Sequence, residues 1–176
     1  MTFKKYSIGI DQDQVLASLL EAWLELYNYD YSHDLEPHQI TKWNWHDLTF
    51  AGEGIYKYLD DSSIFENLEV VKDAIEVTKE LSEQFELFVV TAPWNPESVA
   101  PKSRWLQKHF PHISKKNHVF VQNKSVVNCD YLIDDKPSNL VGIDGQPLLF
   151  TAPHNLNEVS FPRVNNWLEI REWFLG

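Results

Sequence analysis

Tyr6-Ser-Ile-Gly-Ile10-Asp-Gln-Asp13 is a short apolar run that closes on two carboxylates. Such a run predicts a buried strand, and the acids at its end predict that it delivers charge to one edge of a sheet. Just beyond it, Leu16, Leu19, Leu20, Trp23, Leu24 and Tyr27 recur at helical spacing, so a helix is expected from Val15 to about Tyr27. Further along, Leu68, Val71, Ala74, Ile75, Thr78 and Leu81 predict a second amphipathic helix. Leu87 to Val90 reads as a second strand, with Pro93 and Pro96 barring its continuation. A helix is expected over Glu97 to His109, closed by Pro111. Strands follow at Val119–Val121, Tyr131–Ile133 and Leu148–Phe150, and a last helix at Asn166–Phe174. Strands alternating with helices predict an α/β fold whose parallel sheet is covered on both faces.

Residues 28–65 break this rhythm. They are rich in aromatics, histidines and turn formers, and read as an insertion of short helices after the first strand and helix. The expected division is therefore a core of 1–27 and 66–176 with a helical insertion at 28–65.

Composition narrows the function classes. A chain of 176 residues with 43% hydrophobic and 23% charged residues is of a size and make-up to bury one core. Fifteen basic against 26 acidic residues give a net charge of −11, which argues against gripping a nucleic-acid polymer. The single cysteine, Cys129, excludes an intrachain disulfide and fits a reducing compartment, here the cytoplasm. Met1 to Ser7 is short and polar, and no stretch has the length of a membrane span. Seven tryptophans exceed what such a core needs and hint at a binding surface.

In a parallel sheet the carboxyl ends of the strands share one edge, where ligands bind. Strand one ends in Asp11-Gln-Asp13, strand two in Thr91, and strand four in Asp134-Asp135, with Lys124 just before strand four. A carboxylate such as Asp11 can attack phosphorus, and a second, Asp13, can protonate the leaving alkoxide and then activate water. Asp134 completes an oxygen-rich site suited to Mg²⁺. Thr91, its neighbour Ala92 and Lys124 would face the phosphate, and phosphoryl transfer relies mostly on positioning and charge neutralisation. Each piece alone has a plainer reading: Asp-x-Asp as turn chemistry, the threonine as strand propensity, the lysine as a solvated charge. The adjacent acids Asp134 and Asp135 beside a buried strand are harder to explain without a cation.

The ordered set Asp11-Gln-Asp-Gln-Val15, Val89-Val-Thr91, Lys124 and Asp134-Asp135 resembles the four motifs of the haloacid dehalogenase (HAD) superfamily. Within it, Trp105-Leu-Gln-Lys-His-Phe-Pro111, Asn123-Lys-Ser-Val-Val127, Asp130-Tyr-Leu-Ile-Asp-Asp135, Leu149-Phe-Thr-Ala-Pro-His-Asn155 and Arg163-Val-Asn-Asn-Trp167 resemble the 5′(3′)-deoxyribonucleotidases, bacterial members especially. The resemblance implies a three-layer, Rossmann-like HAD fold with a small helical cap, and hydrolysis of deoxynucleoside monophosphates through an aspartyl-phosphate. It implies Asp11 as nucleophile and metal ligand, Asp13 as acid/base with its carbonyl on the metal, and Asp134 as third ligand to Mg²⁺. Asp135 would orient metal-bound water or its neighbours. Three departures stand out: Gln14 where relatives usually have glycine or another small residue, Leu19 where better-known relatives place an aromatic that helps hold the base, and Ala92 where they often have serine, so that base and sugar preference is not carried over from the resemblance.

Trp43, Trp45 and Trp94 are the aromatics expected to meet a base, against the alternative that they pack the cap itself. His33, His38 and His46 lack zinc-ligand spacing. A phosphatase for another small phosphoester, such as a sugar phosphate, remains the nearest rival. A silent nucleotide-binding protein is a more distant one. The partner expected is a small nucleotide, not a polymer or a membrane, and the assembly is open, a homodimer included.

Overall fold

The computed structural model describes residues 5–176; Met1 to Lys4, the start of the short polar N-terminus, lie outside the described residues. Six strands form one parallel sheet in the order β3-β2-β1-β4-β5-β6. They are β1 (Ser7–Ile10), β2 (Glu86–Thr91), β3 (His118–Phe120), β4 (Tyr131–Asp134), β5 (Gln146–Phe150) and β6 (Arg163–Val164). The chain builds outward from β1 to β3, then returns to the other side of β1. The boundary between β1 and β4 is thus the switch point at which such sheets bind ligands.

The two faces carry unequal cores. Strand residues alternate: Ile8, Ile10, Val89, Ile133, Leu148 and Phe150 join the larger cluster, while Val90, Leu132 and Leu149 join a smaller one with Cys129 and Leu140. Buried apolar residues of α1 (Leu19–Tyr31), α2 (Lys57–Asp60), α3 (Ala74–Gln84), α4 (Val99–His109) and α5 (Trp167–Leu175) all fall in the larger cluster. The smaller one is completed by Val127, Ile143 and Phe161 from loops. The second layer is therefore thin, and β1 runs close beneath it. A Cβ on Gly9 would lie 3.0 Å from Leu132, 3.1 Å from the Cys129 sulfur and 3.2 Å from Val90, so glycine fits where a side chain would crowd.

Two expected helices begin later than their apolar residues. Val15, Leu16 and Ala17 are fully buried, but the loop folds back, with the Leu16 and Ala17 N–H groups both donating to the Gln12 carbonyl at 2.9 Å. Helix α1 starts only at Leu19 and runs on to Tyr31. Leu68 and Val71 likewise precede α3; the Val71 N–H donates to the Leu16 carbonyl.

Of the segment expected as an insertion, residues 28–31 continue α1, and the rest is short 3₁₀ turns, loops and the one-turn helix α2. Rings hold it to α1. Trp23 meets Trp45 edge-on at 4.8 Å and donates its indole N–H to the Ile55 carbonyl. The Tyr27 hydroxyl accepts from the Phe50 N–H at 2.9 Å.

Candidate active site

Parallel register places the acids. Ile10 pairs with Ile133, so the next residues, Asp11 and Asp134, stand side by side; the Asp11 N–H donates to the Ile133 carbonyl. Asp11, Asp134 and Asp135 are all buried. A carboxylate oxygen from each can be chosen so that all three lie within 4.8 Å of one another. Lys124, at the start of a 3₁₀ turn between β3 and β4, lies 2.6 Å from Asp11 and 2.6 Å from Asp134. Asp134 also accepts from the Lys136 N–H at 2.8 Å and from the Asn139 amide. Asp135 is 3.1 Å from the His154 Nε2.

Electrostatics follow from this crowding. Burial, then the Asp11 charge, pushes the Asp134 carboxyl up to about 8, against the pull of Lys124. Burial raises Asp135 as well, with the His154 hydrogen bond pulling it back. Burial would lower Lys124, but Asp11 and Asp134 outweigh it and hold the ammonium above its ordinary value. Three buried carboxylates sharing one cation are short of positive charge, and an all-oxygen cluster suits a hard divalent ion.

Asp13 is held differently. Its Oδ2 accepts from Lys102 Nζ at 2.5 Å, while its Oδ1 is buried with no hydrogen-bond partner. Burial raises its carboxyl, and Lys102 draws it down. Lys102 also donates to the Thr91 hydroxyl at 3.1 Å, which leaves that hydroxyl's hydrogen available to another acceptor. Sequence reasoning missed Lys102, a fully buried lysine in α4. The signal was its place beside Pro101, Trp105 and Leu106 on the buried stripe of that helix.

A cavity of about 390 Å³ opens over these groups. Its floor includes Asp11, Asp13, Ala92, Lys124 and Asp135, and its roof Ile40, Trp43, Trp45, Tyr56, Leu59 and Phe65. Thr91 and Asp134 lie behind the lining, fully buried. The three expected tryptophans all line it but differ in kind. Trp45 is buried against Trp23 and belongs to the insertion's own packing. Trp43 and Trp94 are 51% and 44% exposed; Trp94 stacks on Tyr56 and donates to Asp60 at 2.8 Å. Of the histidines, His33 bonds Tyr27, His38 pairs with Glu36, and His46 bonds Tyr56.

Gln14 has φ 59°, the left-handed region where glycine is comfortable. Its side chain supplies a compensating contact: Oε1 accepts from the Leu20 N–H at 2.7 Å, capping α1, whose N-cap residue Ser18 makes no side-chain cap bond.

Known proteins match both fold and sequence. In structure, a haloacid dehalogenase-like hydrolase of Streptococcus pneumoniae superposes with TM-score 0.62 at 11% identity, covering 99% of this chain and 100% of its own. A HAD-superfamily structure from Bacillus subtilis, bound to magnesium, superposes with TM-score 0.61 at 13% identity, covering 98% and 100%. In sequence, the 5′(3′)-deoxyribonucleotidase of Bacillus subtilis (strain 168) is 40% identical over 172 residues, 97% of this chain and 99% of that one. The protein of that name in Bacillus phage SPbeta aligns equally well. The family described as 5′ nucleotidase, deoxy (pyrimidine), cytosolic type C protein matches residues 5–175. With nearly every described residue inside that match, the chain belongs to this nucleotidase family of the HAD fold.

Proposed function

We propose that this protein hydrolyses deoxynucleoside monophosphates through a phosphorylated Asp11, with Mg²⁺ held by Asp11 and Asp134 together with the Asp13 carbonyl, and with Asp135 beside them. The observation that carries the reading is the pairing at the switch point. A nucleophile-bearing strand end abuts a second acid, a buried lysine bridges them, and a further acid with one unpartnered oxygen lies two residues on. The ion would neutralise the carboxylates and the transferring phosphoryl group.

In the first step an Asp11 oxygen bonds to phosphorus while the bond to the nucleoside oxygen breaks. The departing electron pair is met by a proton from Asp13, so the nucleoside leaves as an alcohol. Burial favours the protonated carboxyl this requires, and Lys102 fixes its orientation. In the second step Asp13, now a carboxylate, takes a proton from water. The water oxygen bonds to phosphorus and the bond to Asp11 breaks, releasing phosphate. The Thr91 hydroxyl, the neighbouring backbone at Ala92, and Lys124 would steady the phosphoryl oxygens.

Residues 28–65 act as a cap, and the exposed faces of Trp43 and Trp94 are the surfaces offered to a base. A roofed cavity of this size favours a mononucleotide over a polymer. The preference for deoxy sugars follows the relatives' names. The test is phosphate release from deoxynucleoside and nucleoside monophosphates and from sugar phosphates, each with Mg²⁺ and with EDTA. The reading expects a higher kcat/KM for deoxynucleotides and none in EDTA. A sugar phosphate as the best substrate would overturn the nucleotidase assignment and leave the aspartyl-phosphate chemistry standing.

A further inference from the structure

Trp43, on the insertion, is gripped from the core by two residues, and each of them also bonds the carboxylate cluster. Lys136 places its ammonium 4.1 Å from the Trp43 ring centroid, and its backbone N–H donates to Asp134. The His154 ring meets Trp43 edge-on, 5.0 Å between centroids at 87°. Its Nε2 lies 3.1 Å from the Asp135 carboxylate and 3.2 Å from the Asp135 carbonyl. Both of those partners are acceptors, so Nε2 carries the hydrogen.

The turn bearing His154 is braced from behind. Asn155 donates to the Asp135 carbonyl at 2.6 Å and the Phe150 carbonyl at 2.8 Å. Arg163 on β6 donates to the Asn155 side chain and carbonyl, both at 2.9 Å. With its backbone fixed in this way, the imidazole has little freedom to follow one neighbour without disturbing the other.

We infer that His154 is a positioning residue that couples the insertion to the carboxylate cluster: the ring that orients Asp135 is the ring against which Trp43 closes. Closure and ion binding then favour one another, and the coupling is reciprocal. Polar groups surrounding the ligands of an ion typically govern its affinity by roughly 10- to 100-fold, and Asp135, which His154 orients, stands beside the proposed ligands. The inference rests on the divalent-ion part of the proposed function.

Two substitutions separate the two contacts of His154. His154→Gln can keep a donor for Asp135 but removes the ring; His154→Phe keeps a ring for Trp43 but removes the donor. Mg²⁺ affinity is measured by calorimetry on the substrate-free protein, with circular dichroism as the control for folding. His154→Phe should weaken Mg²⁺ by roughly tenfold. Trp43→Leu, whose own atoms bond none of the cluster acids, should weaken Mg²⁺ about threefold in the parent and have no further effect in His154→Gln, a coupling within the ordinary range. Trp43→Leu with the parent's affinity overturns the coupling, as does an equal Trp43 effect in parent and His154→Gln. A parent that binds no divalent ion defeats the metal assignment itself, and is thereby told apart from a failure of the coupling alone.

Discussion

The strand ends and the insertion that faces them are held by different forces. At the strand ends charge is held by charge: Lys124 serves Asp11 and Asp134, and Lys102 serves Asp13 as well as the Thr91 hydroxyl, all of them buried except the partly exposed Asp13. In the insertion, rings hold rings: Trp23 on Trp45, Tyr56 on Trp94, His33 on Phe50. A buried charge left without its partner is costly, so the first network tolerates no vacancy. Aromatic contacts are individually weak and spread over many atoms, so the second can lose one member and adjust. Single substitutions at the strand ends should therefore cost tenfold or more in turnover, whereas those in the facing segment should shift affinity.

The largest effect should come from Asp11→Asn. An amide cannot form the phospho-enzyme, and the loss should reach several powers of ten in kcat, each worth about 1.4 kcal/mol. Circular dichroism should show the fold retained. More than a few per cent of parental activity would remove Asp11 from the role of nucleophile.

Next, Asp13→Asn should cost roughly 10²- to 10⁴-fold in kcat. Lys102→Met should cost less, on the order of tenfold to a hundredfold, because it misplaces the acid without deleting it. If Lys102 acts only through Asp13, the double variant is no slower than Asp13→Asn alone. Losses that multiply would show Lys102 acting outside Asp13, through the Thr91 hydroxyl or on the substrate itself, and the strand-end network would then be two networks.

The third effect is thermodynamic. The Asp134 carboxyl has an ordinary value of 3.8 and stands at about 8 in the folded, ion-free protein. Between those values the folded state holds a proton that the unfolded state has released. Stability from this group is therefore full below the lower value and lost as pH rises through the upper one. A divalent ion held as proposed would replace that proton. In EDTA, Tm should fall between about pH 5.5 and about pH 8.5, and saturating Mg²⁺ should raise Tm more at the higher pH. An Mg²⁺-induced rise in Tm of the same size at both pH values would mean that no proton on the cluster competes with the ion.

Legibility in the sequence followed the same divide. Asp11, Asp13, Lys124 and Asp134 could be read because a parallel sheet brings its strand ends to one edge whatever the intervening loops do. Thr91 was legible as a strand end, but not its bond to Lys102, since a lysine in an amphipathic helix ordinarily reads as solvated. Helix starts were read too early at Val15 and Leu68, because apolar residues can be buried by a folded-back loop as well as by a helix. Strand β6 is two residues long, and its pairing with β5 is a long-range event without local pattern. The insertion showed its composition but not its geometry: 3₁₀ turns have no long period, and which ring meets which is decided by packing.

The smallest expected effect tests the divide from the insertion's side. Trp94 follows β2 in the core, yet its contacts are with the insertion: its ring stacks on Tyr56 at 5.6 Å and its indole N–H donates to Asp60. Trp94→Phe keeps a ring for Tyr56 and deletes the hydrogen bond, a loss of about 0.5–1 kcal/mol at a half-exposed site, or a few-fold in an equilibrium. Trp94→Ala deletes the stacking as well and adds about 0.5–1.5 kcal/mol. If Trp94 serves closure and base contact, both losses appear in KM for a deoxynucleotide, graded Phe then Ala, while kcat stays within about twofold. With a sugar phosphate, which offers no base, the Ala variant should lose less than it does with the nucleotide. A tenfold fall in kcat with KM unchanged would show the opposite: the roof would be setting the geometry of Asp13 and the phosphoryl group, and the two regions would have to be treated as one catalytic unit.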